Sequence, residues 1–210
     1  MTLIEVFVVL AVLSLIFLAL IPNLLSAKHK AQRIQCVSYH KQIGLGLRMW
    51  SNDYEDRFPW QVSTNAVGSN SPGTMELVAM MTPAVHFQIA SNEIGSPTVL
   101  TCPTDKERKA TTSWYQLTRS NVSYFVNLEA NETKPASILI GDHNLMVNNK
   151  PVAPGLSIVT TNDNLAWDGK MHNQCGNVGL ADGSVRQLSI TNLNSQLQSS
   201  GVATNRFVIP

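Results

Sequence analysis

The sequence of 210 residues predicts an α+β fold, in which one long N-terminal α-helix packs on a C-terminal antiparallel β-sheet. Three observations support this prediction. An apolar run over residues 2–25 leads into a segment whose apolar residues recur at helical spacing. Short segments rich in β-branched and aromatic residues follow residue 120. The pair Asp182-Gly183 then separates two strand-like runs, which is typical of a hairpin.

The first 25 residues have the length and the apolar character of a membrane segment. Between Val6 and Ile21 no residue is charged, and Ser14 has the only hydroxyl group. At 1.5 Å per residue, a helix over residues 2–25 can cross a hydrocarbon core of roughly 30 Å. Pro22 lacks a backbone donor, so we expect it to loosen or kink the helix near the end of the run.

Glu5 is the exception within this apolar segment. A lone carboxylate at membrane depth costs a few kcal/mol or more unless it is neutralised or paired. The nearest cation is the α-amino group of Met1, from the same chain or from a neighbouring copy. Two alternatives are weaker, because a signal peptide usually begins with a basic segment and a simple anchor leaves Glu5 unexplained. Glu5 therefore indicates a partner.

The helix is expected to continue beyond the apolar run as an amphipathic segment over residues 26–57. Residues 26–54 contain no proline, and one face has steps of four and three residues: Cys36, His40, Ile43, Leu47, Trp50 and Tyr54. The helix should end before Phe58-Pro59, because a residue preceding proline disfavours the helical conformation. Residues 58–210 then form a β-rich head domain. Gly44 and Gly46 predict close packing against a neighbouring element, with a flexible point as the alternative.

Two groups of motifs resemble a known family. Thr2-Leu3-Ile4-Glu5-Val6, the long apolar helix and Pro22 are similar to the mature N-terminus of type IV pilins and type II secretion pseudopilins. Three further features resemble a subgroup of that family named for its C-terminal pattern: the segment from Cys36 to Leu47, the segment Cys102-Pro-Thr-Asp105, and His172 followed after nine residues by Asp182-Gly183. Met1 replaces the more usual Phe, and Thr104 replaces a Ser.

This resemblance implies a structural role. Family members lose a basic leader to a prepilin peptidase, which also methylates the new N-terminus, and an inner-membrane platform with its ATPase assembles them into filaments. The acidic residue at the fifth position pairs with the N-terminal amine of an adjacent subunit, a role that falls here on Glu5 and Met1. We expect a pilin-like subunit that waits in the bacterial inner membrane and then joins copies of itself in a periplasmic or extracellular filament. A minor pseudopilin, or a membrane-tethered module that binds Ca²⁺ or glycans, is the alternative.

Composition and motifs argue against two other classes of protein. The net charge is +1, from 15 basic and 14 acidic residues, so no nucleic-acid-binding surface is predicted. The sequence has no phosphate-binding Gly-Lys-Ser/Thr loop, no His-Glu-x-x-His, no Gly-x-Ser-x-Gly and no Cys-x-x-Cys motif. No enzymatic activity is therefore predicted.

The three cysteines are Cys36, Cys102 and Cys175. An exported protein can form disulfides, and Cys102 can reach back to Cys36 on the core face of the helix. Such a bridge would close a long loop and contribute roughly 2–4 kcal/mol. Two buried thiols are the alternative, and Cys175 is left without an assigned partner.

A calcium site is the main candidate for a bound metal. Four carboxylates with neighbouring Asn side chains offer the oxygen ligands that Ca²⁺ prefers: Asp142, Asp163, Asp168 and Asp182. Their spacing matches no fixed calcium loop, and Asp side chains in turns often bond their own backbone. The resemblance adds weight, because some major pseudopilins hold Ca²⁺ in a C-terminal loop. His172 is expected to bond a carbonyl or Asp182 and so fix the hairpin, with a ligand role as the alternative.

The head is expected to contain several short strands. Strand-like segments occupy residues 98–102, 122–126, 137–141, 156–160, 177–181 and 184–188. We predict a type I′ turn at Asp182-Gly183, with Leu180 opposite Val185. A short helix with Leu193 and Leu197 on one face should follow. Residues 205–210 are expected to form either a last edge strand or a contact surface.

Overall fold

The computed structural model describes residues 2–65 and 73–210, and within helix α1 it leaves the side chains of residues 19–26 undescribed. In the described residues one long N-terminal helix precedes an antiparallel β-sheet. The α+β prediction is confirmed at this level.

Helix α1 spans Leu3–Asn52, a length of 50 residues and about 75 Å. Its helical assignment continues without interruption through residue 22, while the side chain of Pro22 lies outside the described part. The end at Asn52 precedes the predicted limit at Phe58-Pro59 by a few residues. Among the helical residues whose side chains are described, no stretch is both long and apolar enough to cross a membrane.

In the described residues that follow α1, nine strands form two sheets. Their bounds are β1 Tyr124–Asn127, β2 Ile138–Asp142, β3 Leu145–Val147, β4 Lys150–Pro151, β5 Gly155–Thr160, β6 Leu165–Trp167, β7 Gly176–Leu180, β8 Val185–Leu188 and β9 Thr204–Ile209. The larger sheet has the order β5-β9-β1-β2-β7-β8, and the smaller one has the order β4-β3-β6. All strand pairs in both sheets are antiparallel.

Short helices and 3-10 turns connect these strands to α1. The α-helices are α2 Ala84–Ile89, α3 Ser91–Ile94 and α4 Ile190–Ser199, and the 3-10 turns are Pro59–Gln61, Met75–Met80, Pro97–Leu100, Trp114–Gln116 and Arg119–Asn121. The strand predicted at residues 98–102 is therefore wrong. Pro97 presets the backbone at the start of the turn, and the Ser96 hydroxyl accepts a hydrogen bond from Thr98 N.

The larger sheet has a hydrophobic core on each face. Tyr124, Val126 and Val208 belong to the core that includes α1, while Phe125 and Phe207 belong to the core that includes α4 and the smaller sheet. This alternation follows from the strand period of two residues. The predicted core face of α1 is buried at five positions: Cys36, His40, Ile43, Leu47 and Trp50.

The two glycines of α1 have different surroundings. A Cβ atom on Gly46 would lie 2.7 Å from Ile94 Cγ1 and 3.0 Å from Ile94 Cα, so α3 packs directly on this position. A Cβ atom on Gly44 would meet no other atom of the described part of the chain within 4 Å. Close packing thus accounts for Gly46 and not for Gly44.

The C-terminal region differs from the prediction in two respects. Val185 pairs with Gly179 and not with Leu180, and only Gly183, at φ 84°, adopts the left-handed conformation in the turn. A type I′ turn needs positive φ at both central residues, so that prediction is wrong. Strand β9 lies between β5 and β1, so the tail is an inner strand and not an edge strand.

Candidate functional site

The N-terminal part of α1 is an exposed apolar surface. The described side chains from Leu3 to Leu18 are exposed, at 74% for Leu3 and 71% for Leu18. They include thirteen large apolar residues: Leu3, Ile4, Val6, Phe7, Val8, Val9, Leu10, Val12, Leu13, Leu15, Ile16, Phe17 and Leu18. A surface of this kind marks contact with another protein or with lipid.

Glu5 has a local role at the start of this helix. Its Oε2 accepts a hydrogen bond of 2.6 Å from Thr2 N, and Thr2 Oγ1 accepts one of 3.4 Å from Glu5 N. This reciprocal arrangement is a capping box, which satisfies two backbone donors that the helix leaves free. Met1 lies outside the described residues, so the predicted pairing of Glu5 with an N-terminal amine stays a prediction.

A second candidate site lies inside the head, where α1 meets the larger sheet. Cys36 and His40 project from α1, Asp142 ends β2, and Tyr124 begins β1. The Cys36 Sγ atom lies 3.4 Å from Tyr124 Oη and 3.6 Å from Asp142 Oδ1. All four residues are buried.

Two residues from loops complete this thiol–histidine cluster, which we define as Cys36, His40, Cys102, Tyr124, Asp142 and His172. The His172 Nε2 atom lies 3.4 Å from Cys102 Sγ and 3.5 Å from Asp142 Oδ2. His172 itself has a left-handed backbone, at φ 52°. Its ring thus enters the interior beside the carboxylate that α1 also contacts.

Hydrogen bonds define the tautomer of His40. Its Nδ1 atom lies 3.0 Å from the Cys36 carbonyl oxygen, which only accepts, so Nδ1 carries the proton. Burial lowers the pKa of His40 to about 4, and the ring is therefore neutral near pH 7. Its Nε2 atom presents a lone pair that finds no hydrogen-bond partner among the described residues, 3.6 Å from Asp142 Oδ1.

The other groups of the cluster also have shifted pKa values. Burial raises the pKa of Asp142 to about 7, although the nearby His172 opposes this. Burial likewise raises the pKa of Cys36, while a hydrogen bond from Cys36 lowers the pKa of Cys102. Burial alone would lower the pKa of His172, but the Cys102 hydrogen bond and the Asp142 charge together raise it. Cys102 is thus the favoured thiolate and Cys36 its donor.

The structure brings the predicted cysteine pair together without a bond between them. Cys36 and Cys102 are both buried free thiols in one group of possible ligand atoms that lie within 4.8 Å of one another. The disulfide is therefore absent here and stays a prediction for oxidising conditions. Cys175 is a half-buried free thiol and is not part of this group.

His172 was predicted to bond a carbonyl or Asp182, and the structure gives its ring other partners. Its ring contacts Cys102, Thr104 and Asp142, while Asp182 Oδ1 accepts a hydrogen bond from Ser184 N inside the hairpin turn. The ring therefore links the loop after β6 to the helix–sheet interface, while Arg48 of α1 donates a hydrogen bond of 2.7 Å to the Asp182 carbonyl oxygen in the turn. The sequence motif singles out these residues but does not reveal which atoms they contact.

The four carboxylates predicted to bind Ca²⁺ do not converge. Asp163 accepts hydrogen bonds from Thr160 N and Asn148 Nδ2, and Asp168 accepts one from Lys170 N. Within the described ranges, no group of three or more possible ligand side chains contains two of these four carboxylates. Asp142 faces sulphur and nitrogen donors, so the predicted oxygen-only calcium site does not fit.

Sequence reasoning missed a second buried pair beside the cluster. His143 Nε2 lies 2.8 Å from Asp105 Oδ2, which also accepts a 2.7 Å hydrogen bond from the Ser123 hydroxyl. Ser123 Oγ in turn accepts from Cys102 N, so this pair fixes the backbone at Cys102. The segment Cys102-Pro-Thr-Asp105 was the available signal, because it places a carboxylate three residues after the thiol.

Comparison with known proteins adds no family to this description. No protein-family model, no curated protein and no solved structure matches the chain. What is established is the fold class: an α+β protein with a long N-terminal helix on an antiparallel sheet.

Proposed function

We propose that this chain is a structural subunit of a filament similar to a type IV pilus or a type II secretion pseudopilus. The exposed apolar helix from Leu3 to Leu18 is the observation that supports the proposal. The head leaves this helix uncovered, and copies of the same helix packed side by side would remove its apolar surface from water.

The arrangement of charge is consistent with such packing. Apart from Glu5, residues 3–18 carry no charged side chain, so a bundle of these segments would enclose one carboxylate per copy. An enclosed carboxylate needs a cation, and the family resemblance assigns this role to the N-terminal amine of the adjacent copy. Before assembly, the same surface would rest in the inner membrane, where the peptidase and the assembly platform act on it.

Two substitutions at position 5 separate the charge of Glu5 from its capping role. Glu5→Gln keeps a side chain that can complete the capping box, and Glu5→Ala removes both the cap and the charge. Loss of one partner of an enclosed ion pair costs about 2–5 kcal/mol, so both variants should yield at least about tenfold fewer filaments. Ser14→Ala, an uncharged change in the same segment, is the control and should assemble normally.

The measurement is electron cryo-microscopy of material sheared from producing cells, with the membrane fraction quantified beside it. Filaments whose density fits this chain, with Glu5 beside a neighbouring N-terminus, are the expected result. Normal filaments from Glu5→Gln would show that the carboxylate acts only as a cap. If the parent chain stays in the membrane fraction as single copies, it is not a major subunit, and a minor pseudopilin or tethered binding module replaces this proposal.

A further inference from the structure

We propose that the thiol–histidine cluster binds one Zn²⁺ ion through two thiolates, an imidazole and a carboxylate, from Cys36, Cys102, His172 and Asp142. The inference does not depend on filament assembly, because the cluster lies wholly within the head and its junction with α1. It assigns a role to buried side chains that assembly through residues 3–18 does not use.

The spacing of the donor atoms supports four-coordinate zinc. Zinc bonds of about 2.0–2.3 Å in a tetrahedral site place neighbouring ligand atoms roughly 3.3–3.8 Å apart. Cys102 Sγ and His172 Nε2 are 3.4 Å apart. Cys36 Sγ and Asp142 Oδ1 are 3.6 Å apart. The Sγ atoms of Cys36 and Cys102 and the His172 ring nitrogen all lie within 4.8 Å of one another, whereas Asp142 belongs to a second such group with Cys36 and His40. The carboxylate must therefore shift toward Cys102 and His172 to become the fourth ligand.

The lone pair of His40 is a second and independent indication. Its Nε2 atom is fully buried, is unpaired among the described residues, and faces Asp142 Oδ1 at 3.6 Å. A lone pair directed at a carboxylate oxygen is unfavourable unless a proton or a cation lies at that place. A metal ion bound to Oδ1 satisfies this requirement, as a proton on Asp142 does in the metal-free chain. His40 is then a positioning residue beside the ion.

Supporting hydrogen bonds orient the carboxylate for this role. Asn177 donates to Asp142 Oδ2 from its backbone N at 2.7 Å and from Nδ2 at 3.0 Å. These bonds engage one oxygen and leave Oδ1 directed toward Cys36. Orientation of ligands by such outer contacts is characteristic of metal sites in proteins.

The donor set selects the kind of metal. Thiolate and imidazole donors favour Zn²⁺ over Ca²⁺, which binds oxygen ligands. On binding, the Cys36 thiol gives its proton to solvent and both sulphurs become thiolates, so affinity should increase as pH rises. A disulfide between the same two sulphurs would remove two ligands, so zinc binding and disulfide formation exclude each other.

The first experiment uses Co²⁺ as a spectroscopic substitute for Zn²⁺. The full chain is purified in non-ionic detergent under reductant, and a chelator removes any metal. Titration with Co²⁺ should then give one bound ion per chain, with a thiolate-to-cobalt charge-transfer band and the visible bands of tetrahedral Co²⁺. Added Zn²⁺ should displace Co²⁺ and abolish the charge-transfer band and the visible bands. Absence of these bands from the fully reduced, folded chain overturns the proposal.

Variants and thiol labelling test the named ligands. Cys102→Ser should weaken zinc binding by more than about a hundredfold, beyond the usual effect of removing an outer contact. Cys175→Ser, which changes the cysteine outside the cluster, should bind like the parent chain. Equal zinc affinities of these two variants would contradict the assignment.

Labelling of the parent chain needs no substitution and avoids a variant that fails to fold. Zinc should protect Cys36 and Cys102 from alkylation by at least about tenfold in rate and leave Cys175 labelled as before. Identical labelling of all three cysteines with and without zinc would overturn the proposal. So would a chain that carries the disulfide when isolated and binds no Co²⁺ after the disulfide is reduced.

Discussion

At the scale of single residues, Asp142 is the group whose protonation should control the stability of the metal-free head. The five other ionisable side chains of the cluster interact with it: Cys36, His40, Cys102, Tyr124 and His172. Burial raises its pKa from 3.8 to about 7 in the folded chain. Between these two pH values the folded chain binds more protons than the unfolded chain, so the free energy of unfolding falls as pH rises.

We expect Asp142→Asn to remove this pH dependence. With zinc absent, the stability of the variant relative to the parent should increase by about 3 kcal/mol as pH rises from about 4 to 7, because each pKa unit corresponds to 1.36 kcal/mol. Denaturant unfolding in detergent, with chelator and reductant present, measures the difference. A difference that stays constant over this range would show that Asp142 is not the titrating group.

Asp105 provides a control of opposite sign. Burial alone would raise the pKa of Asp105, but the hydrogen bond and charge of His143, with the Ser123 hydroxyl, together lower it. Its contribution to the free energy of unfolding is therefore complete above the pKa of the unfolded chain, and it is lost as pH falls through the lower pKa of the folded chain. Asp105→Asn should lose stability relative to the parent as pH rises from acid, the reverse of Asp142→Asn.

At the scale of elements, the contact between α1 and α3 depends on the absence of a side chain at Gly46. An added Cβ would come within 3.0 Å of both Cα and N of Ile94, and backbone atoms cannot move aside as a flexible side chain can. The two elements must separate or bend to admit even a methyl group.

Gly46→Ala should therefore destabilise the head by about 1–3 kcal/mol, although Ala is the better helix former. Gly44→Ala is a matched control two residues away, and it should stabilise the chain by up to about 1 kcal/mol, because nothing in the described residues opposes its methyl group. Thermal unfolding of the two variants in parallel tests the pair. Similar shifts for both would contradict the packing described for α3.

The sequence predicted elements well where local pattern determines structure. Helical spacing identified the buried face of α1 from Cys36 to Trp50, and β-branched composition placed β2 and β5 within one residue of their bounds. It failed where contacts between distant residues decide the outcome. Residues 205–210 alone do not indicate whether a strand lies inside or at the edge of a sheet.

The same limit explains what was missed in the cluster. Cys36 and His40 share a helix face by their spacing, but Asp142 and His172 reach them only through the fold. Four turn-forming Asp residues suggested calcium because composition does not report which side chains converge. The left-handed backbone at His172 was also hidden, since a non-glycine residue gives little sequence signal for positive φ.

At the scale of the whole molecule, the apolar end of α1 and the head should be separable. Residues 3–18 are exposed, whereas the contribution of α1 to the head core begins at Cys36. Folding of the head therefore uses the second half of the helix, and the proposed association between copies would use the first half.

A chain that starts at residue 27 should unfold at a temperature within about 2 °C of the parent and remain monomeric. A chain that starts at residue 41 loses the buried Cys36 and His40, at a cost of about 3 kcal/mol, so its melting temperature should be roughly 10 °C lower. Calorimetry and size-exclusion chromatography test both. If the chain that starts at residue 27 melts at as low a temperature as the chain that starts at residue 41, the removed N-terminal segment stabilises the head.

Strand β9 has a consequence for the order of events during folding. It joins β5 to β1 in the middle of the larger sheet, although about 80 residues separate it from β1 along the chain. Strand β5 thus cannot join the rest of the larger sheet until Thr204–Ile209 has been made, whereas α1 forms through hydrogen bonds between residues close in the chain. During synthesis α1 can form well before β9 has been made. The exposed apolar residues from Leu3 to Leu18 are therefore present while the head is still incomplete.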